Sequence, residues 1–120
     1  MLNLDTHVLL FALADELTPA ERRLLSRDTW SVSAIVLWEL GKLAQLGRIE
    51  LDLSDPSLER TLARIHTWPI TLEICRAIPQ LDFRGDPADE IIAATSWVHR
   101  VPLVTRDRKL RRSRRVPLAR

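Results

Sequence analysis

The sequence has one cysteine, Cys75, three glycines, no tyrosine, and aromatic residues at only 5% of its 120 positions. A single thiol excludes an intrachain disulfide and any zinc site built from several cysteines, and it gives no sign of an oxidising compartment, so the cytoplasm is the expected location. The longest apolar run is Val8 to Ala14, well short of the roughly 20 residues that a membrane-crossing helix needs. Asp5 stands where a signal peptide would carry basic charge. No membrane association is expected. Low-complexity linkers and internal repeats are also missing. A hydrophobic fraction of 46% belongs to a chain that buries a core, and at this length one domain over residues 1–120 is expected.

Charge is present in both signs but unevenly placed. The net charge is only +2, yet residues 100–120 hold nine basic residues and one acidic, which leaves residues 1–99 net negative. A tract this basic can neutralise phosphates and favours nucleic acid among anionic partners, although many such runs are only solvated surface.

Short apolar segments alternate with helical patterns. Met1–Leu4 reads as a strand and Thr6–Ala14 as a helix. Thr18, Pro19 and Glu21 form a capping box that opens a helix to Arg27. Trp30–Val32 reads as a second strand, and Ser33 caps a longer helix ending at Gly47. Asp55-Pro56 starts a helix to Ile65; Pro69–Thr71 is a brief extended piece, followed by a helix ending before Pro79. Asp86-Pro87 opens a helix to His99, Val101–Thr105 is the next strand, and Val116–Leu118 is an edge strand because Pro117 cannot donate to a ladder. This order predicts an α/β fold, with a short, mostly parallel sheet of four to five strands flanked by helices. Ligands of such sheets bind beyond the carboxyl ends of the strands, so acids directly after strands carry the most information.

Acidic residues stand out at four places. Asp5 follows the first strand, where a plain helix cap would also suffice. Glu39 falls on the helical wheel among Ile35, Val36, Leu43 and Leu46, near the middle of an apolar stripe, where an unpaired carboxylate would cost several kcal/mol, about what a strong donor, a cation or an open cleft must offset. The structural alternative is a buried salt bridge to one of the few arginines before residue 100. Asp86 and Asp89 lie three apart at one helix start, although capping needs only one of them. Asp107 lies two residues past Thr105 at the end of a strand, where a turn residue is the simpler explanation. Convergence of all of them in one pocket is the economical reading. Clustered carboxylates repel and raise one another's pKa unless a divalent cation neutralises them, and an all-oxygen donor set favours Mg²⁺ or Mn²⁺. Beside a basic tract, such a site suits phosphodiester hydrolysis.

The blocks Leu4-Asp5-Thr6-His7-Val8-Leu9-Leu10, Val32-Ser33-Ala34-Ile35 through Leu37-Trp38-Glu39-Leu40, Gly85-Asp86-Pro87-Ala88-Asp89 with Ile91-Ile92-Ala93-Ala94-Thr95, and Leu103-Val104-Thr105-Arg106-Asp107 resemble, in this order, those of PIN-domain nucleases, specifically VapC-type ribonuclease toxins. The resemblance implies a PIN-like three-layer sandwich and a metal-dependent endoribonuclease with catalytic Asp5, Glu39, Asp89 and Asp107. It implies metal ligation by Asp5, Asp89, Asp107 and, as an auxiliary, Asp86, with Thr6 and Thr105 orienting the acids. It also implies an RNA substrate, a homodimer, and inhibition by a VapB-type antitoxin of the same toxin-antitoxin pair. Where similar sequences often carry His and Arg, this chain has Arg84 and Glu90; neither change removes a carboxylate.

Arg106 and Arg108, nearest the proposed metal site, are the expected phosphate-binding residues, with Arg111, Arg112, Arg114 and Arg115 left to the surface or to antitoxin contacts. His7, His66 and His99 lack ligand spacing and receive no role. Trp30, Trp38, Trp68 and Trp97 are expected in the core or at a dimer interface. A phosphoacceptor receiver domain would need an acidic pair at the first strand and a late lysine, and a haloacid-dehalogenase-like phosphatase would need an acid at the position of His7. The remaining alternative is a catalytically inactive PIN-like module that only binds RNA or a partner protein.

Overall fold

In the structure of the chain, a computed structural model covering residues 1–120, four short strands form one sheet: β1 (Leu2–Leu4), β2 (Trp30–Ser33), β3 (His66–Trp68) and β4 (Leu103–Val104). Their spatial order is β3-β2-β1-β4 and every neighbouring pair is parallel. Parallel neighbours need long crossovers, and these carry the helices α1 (Thr6–Leu13), α2 (Pro19–Leu25), α3 (Ala34–Gln45), α4 (Pro56–Ala63), α5 (Leu72–Ala77) and α6 (Pro87–His99), with α7 (Arg108–Arg111) after the last strand. No helix is long and apolar enough to cross a membrane.

The strand order fixes where a site can form. The chain steps outward from β1 to β2 to β3, then returns to place β4 on the other side of β1. Crossovers therefore leave in opposite directions at β1 and β4, and a crevice opens beyond their carboxyl ends. Asn3 pairs with Leu103 and Leu4 with Val104, so the next residues, Asp5 and Thr105, emerge side by side at that crevice.

The core between sheet and helices is built from Leu4, Leu9, Leu40, Ile74, Ile92, Leu103 and Leu110, all essentially inaccessible. Each such side chain contributes about 1.5–3 kcal/mol of burial. Polar residues share this interior, three of them at the sheet's contact with α6 or within the sheet. Asn3 on β1 donates from Nδ2 to the Ser96 hydroxyl at 2.9 Å and to the Ile92 carbonyl at 3.3 Å, and Ser31 donates to the Leu2 carbonyl at 2.9 Å. The Asn3 bonds fasten α6 to the central strand and so set the height of the acids at its start.

Local signals formed most of these elements as expected. Thr18 and Glu21 close a full capping box, Ser33 caps α3, and Asp55 caps α4. Gly47, just past α3, takes the left-handed conformation with φ +69° that ends the helix. Four details differ. The third strand is His66–Trp68, not Pro69–Thr71, because Pro69 has no N–H for the ladder and stops it. The chain continues past α5 in a 3₁₀ turn over Ile78–Gln80, with Pro79 in its first turn, where its missing N–H has no partner to lose. The helix α7 forms inside the basic tract. The segment at Val116–Leu118 lies beside β4 as a single parallel bridge between Leu103 and Leu118, not as a full strand.

Candidate active site

Asp5 is the N-cap of α1 and is almost fully buried. The capping role read from the sequence is present, and it occupies only one of the two carboxylate oxygens. One accepts from the Val8 N–H at 2.8 Å, and the other accepts from the Thr105 hydroxyl. The same Thr105 oxygen accepts from the Asp107 N–H at 3.0 Å. A relay of hydrogen bonds therefore runs from the backbone of Asp107 through Thr105 to Asp5. Asp107 caps α7, accepting from Lys109 N–H at 2.8 Å and Leu110 N–H at 3.2 Å through one oxygen, which leaves its second oxygen free.

Glu39 is half-buried on α3 and accepts from the hydroxyl of the buried Thr6. No arginine or lysine pairs with it, so the buried salt bridge considered from the sequence is not what holds it. Asp86 occupies the N-cap position of α6, but its carboxylate makes no capping bond. Asp89, one turn in, lies at the helix N-terminus, where the macrodipole would favour its charge. Instead its carboxyl is pushed up to about 6, first by burial and then by repulsion from Asp107, Glu39, Asp86 and Asp5. Burial also raises Asp5, against the lowering effect of its bonds from Thr105 and Val8.

Asp89 thus feels all four of the other acids singled out in the sequence, carried by β1, α3, α6 and the turn after β4. None of the five forms a salt bridge, since the pairs in the chain are Met1 with Asp28, Arg22 with Asp15, and Arg106 with Glu21. Asp5 is buried and Glu39 and Asp89 are half-buried, whereas Asp86 and Asp107 are exposed; burial without a countercharge disfavours the charged form of Asp5 and Asp89. Their oxygen-only donor set fits Mg²⁺ or Mn²⁺. The side chains lie within electrostatic reach of one another, but no three are gathered as tightly as a metal cluster requires.

The basic residues are less simply placed. Arg106 forms no ion pair with the clustered acids, although it lies within electrostatic reach of Asp5; it grips Glu21 with two bonds of 2.7 Å, lies 3.7 Å over the Phe11 ring, and holds Glu21 down to about 2. Its guanidinium is thereby committed, and a phosphate would have to compete with Glu21 for it. Arg108 is exposed at the first position of α7 and makes no ion pair. Arg111 donates to the Thr105 carbonyl at 3.1 Å, and Arg84 folds back on the Leu81 and Phe83 carbonyls.

Two contributors were not singled out from the sequence. Glu21 was already accounted for by its capping box, which it does form, so nothing pointed to a partner 85 positions away. Asn3 left one faint signal, a lone amide in an apolar strand.

Residues 3–116 match the PIN domain family. Ribonuclease VapC22 of Mycobacterium tuberculosis is 36% identical over 118 residues, covering 92% of this chain and 90% of that protein. Among solved structures, VapBC2 of Rickettsia felis bound to a promoter DNA fragment matches with a TM-score of 0.73 at 20% identity, over 98% of this chain and 97% of the other. A toxin–antitoxin complex from Klebsiella pneumoniae matches at 0.69 and 21% identity, over 91% and 88% of the two chains. FitAcB of Neisseria gonorrhoeae matches at 0.69 and 21% identity, over 100% and 97%.

Proposed function

The chain belongs to the PIN-domain family and stands with its VapC-type members, and from that membership we propose that it is a divalent-metal-dependent endoribonuclease, the toxin of a toxin–antitoxin pair acting in the cytoplasm. The observation that carries this reading is the cluster of Asp5, Glu39, Asp86, Asp89 and Asp107 without internal countercharge, with Asp89 pushed up to about 6. An inactive module that merely kept the fold would gain stability by pairing or neutralising these acids.

In this reading Asp5, Asp89 and Asp107 hold the cation, Asp86 assists with its uncommitted carboxylate, and Glu39 acts from the opposite wall. Bound Mg²⁺ or Mn²⁺ supplies a more acidic water and neutralises charge at the scissile phosphate. Thr105 fixes the Asp5 oxygen that faces the crevice, and Thr6 does the same for Glu39, so neither acid must be reoriented when substrate arrives. Glu39, anchored through one oxygen, keeps the other for a proton or water at the cleft. Arg108, free at the rim, is the preferred phosphate contact; Arg106 reaches phosphate only by releasing Glu21.

A VapB-type antitoxin is the proposed partner, supported by the likeness to structures described as toxin–antitoxin complexes. A homodimer is supported by the exposed apolar side chains of Trp38, 59% accessible, and Ile70, which line one hollow with Glu39 and Asp86; monomeric sedimentation of a Trp38→Ala, Ile70→Ala variant is expected. The central test is RNA cleavage with Mg²⁺, Mn²⁺ or chelator. Cutting should need the metal and vanish in Asp5→Asn and Glu39→Gln with circular dichroism unchanged. Metal-independent cutting, or cutting that survives both substitutions, would overturn the reading.

A further inference from the structure

The opposite end of α6 carries a second charged pocket, of the other sign. A cavity of about 520 Å³ is lined by Glu73, Arg76, Gln80, Trp97, Arg100 and Arg115. The three arginines come from three places in the chain: α5, the end of α6, and the tail beyond α7. None of them forms a salt bridge, although Arg115 lies within electrostatic reach of Asp82, whose carboxylate is engaged by Ser113 and the Arg114 N–H. Arg115 stands over the Trp97 ring, 5.6 Å from its centre. Glu73 shares the wall without neutralising any of the three.

Arg100 adds a separate observation. It sits in the left-handed conformation at the end of α6, with φ 56°. Glycine is the usual residue there, and an L-residue with a side chain costs about 1–2 kcal/mol. Its side chain lines the same cavity as Arg76 and Arg115. Unpaired guanidinium groups around an aromatic face match a phosphate with a base beside it.

We propose that this pocket binds a nucleotide unit of single-stranded RNA outside the cleavage site, with its phosphate on Arg76, Arg100 and Arg115 and its base against Trp97. The choice of RNA rests on the ribonuclease reading above; the phosphate chemistry does not. At 1.5 Å per helical residue the pocket lies about 16 Å from Asp89 along α6, so one strand could engage both ends and gain affinity that a shorter strand cannot.

The test uses the full chain carrying Asp5→Asn, which prevents turnover, with and without Arg76→Gln plus Arg115→Gln. Both arginines are exposed, so the fold should survive, and a variant with Arg60→Gln plus Arg64→Gln, in α4 and at its C-cap, controls for net charge. AMP titrated against each protein is read by the Trp97 indole N–H resonance, and labelled single-stranded RNAs, one confined to the cleft and one longer, are read by anisotropy. The pocket variant should lose the AMP-induced shift. It should lose at least about tenfold in affinity for the longer RNA, with the salt slope reduced by about 0.7 per phosphate contact removed. The shorter RNA and the α4 control should be unchanged. An AMP shift that persists in the pocket variant, or an equal loss in the α4 control, would overturn the proposal. If the unsubstituted chain cuts no RNA but AMP binding still depends on Arg76 and Arg115, the ribonuclease reading falls and the phosphate pocket stands.

Discussion

Glu21 and Asp89 are both acids in the first turn of a helix, and they end up at opposite extremes. Glu21 meets Arg106 in a two-bond pair and is held down to about 2. Asp89 meets four other carboxylates and is pushed up to about 6. The helix dipole is the same kind of help in both places, so the difference lies in the neighbours. A chain able to supply an arginine to Glu21 supplies none to Asp89. The first arrangement is complete as a structure. In the proposed reading, the second becomes complete with a positive charge from outside.

The comparison can be broken most severely at the acids themselves. Asp89→Asn should reduce metal-dependent RNA cleavage by about a hundredfold or more, the scale of losing one group that stabilises developing charge, while Glu21→Gln should leave cleavage within a few-fold of the parent; parallel cleavage assays check both. Next in size is the response to metal. Mg²⁺ or Mn²⁺ should raise the melting temperature at pH 7.5, where Asp89 is ionised, and do so far less at pH 5, where it holds a proton; Asp89→Asn should flatten the difference.

The pH dependence of stability without metal sharpens the contrast through its sign. The folded pKa of Asp89 lies above that of the unfolded chain, so the folded state binds the extra proton, and stability declines as pH rises from about 4 to 6. For Glu21 the folded pKa is lower, so its contribution is present above about 4.3 and is lost as pH falls toward 2. Urea titrations across pH should show the first slope vanish in Asp89→Asn and the second in Glu21→Gln. The smallest effect is that of Glu21→Gln at neutral pH, about 1 kcal/mol or less for a partly exposed pair. Because Arg106 stands between Thr105 and Asp107, that variant should also show a measurably weaker metal affinity by calorimetry.

Much of this contrast could be read from the chain alone. Glu39 is visible on its apolar stripe and Asp89 as a duplicate at a cap, whereas Asp5 and Asp107, each explicable alone as a cap or turn residue, count only together with them as acids placed after strands. The helices are visible through Thr18, Ser33, Asp55 and the Pro residues behind two of these caps. What could not be read depends on pairings between distant segments. His66–Trp68 is a strand because β2 offers it a ladder, and its own residues carry no apolar alternation. Arg106 looked like a phosphate ligand by its place beside Asp107, yet Glu21 from α2 claims it first. The arginine pocket was hidden for the same reason, since Arg76, Arg100 and Arg115 are brought together only by the packing of α5, α6 and the tail.

The most direct measurement is the titration of the Asp89 side-chain carboxyl by carbon-detected NMR, without metal and then with Mg²⁺. A midpoint near 6 that drops sharply when the ion is added, while Glu21 stays ionised throughout, is the predicted result. A midpoint in the ordinary range near 4, unmoved by the ion, would contradict the claim that these acids await an external cation.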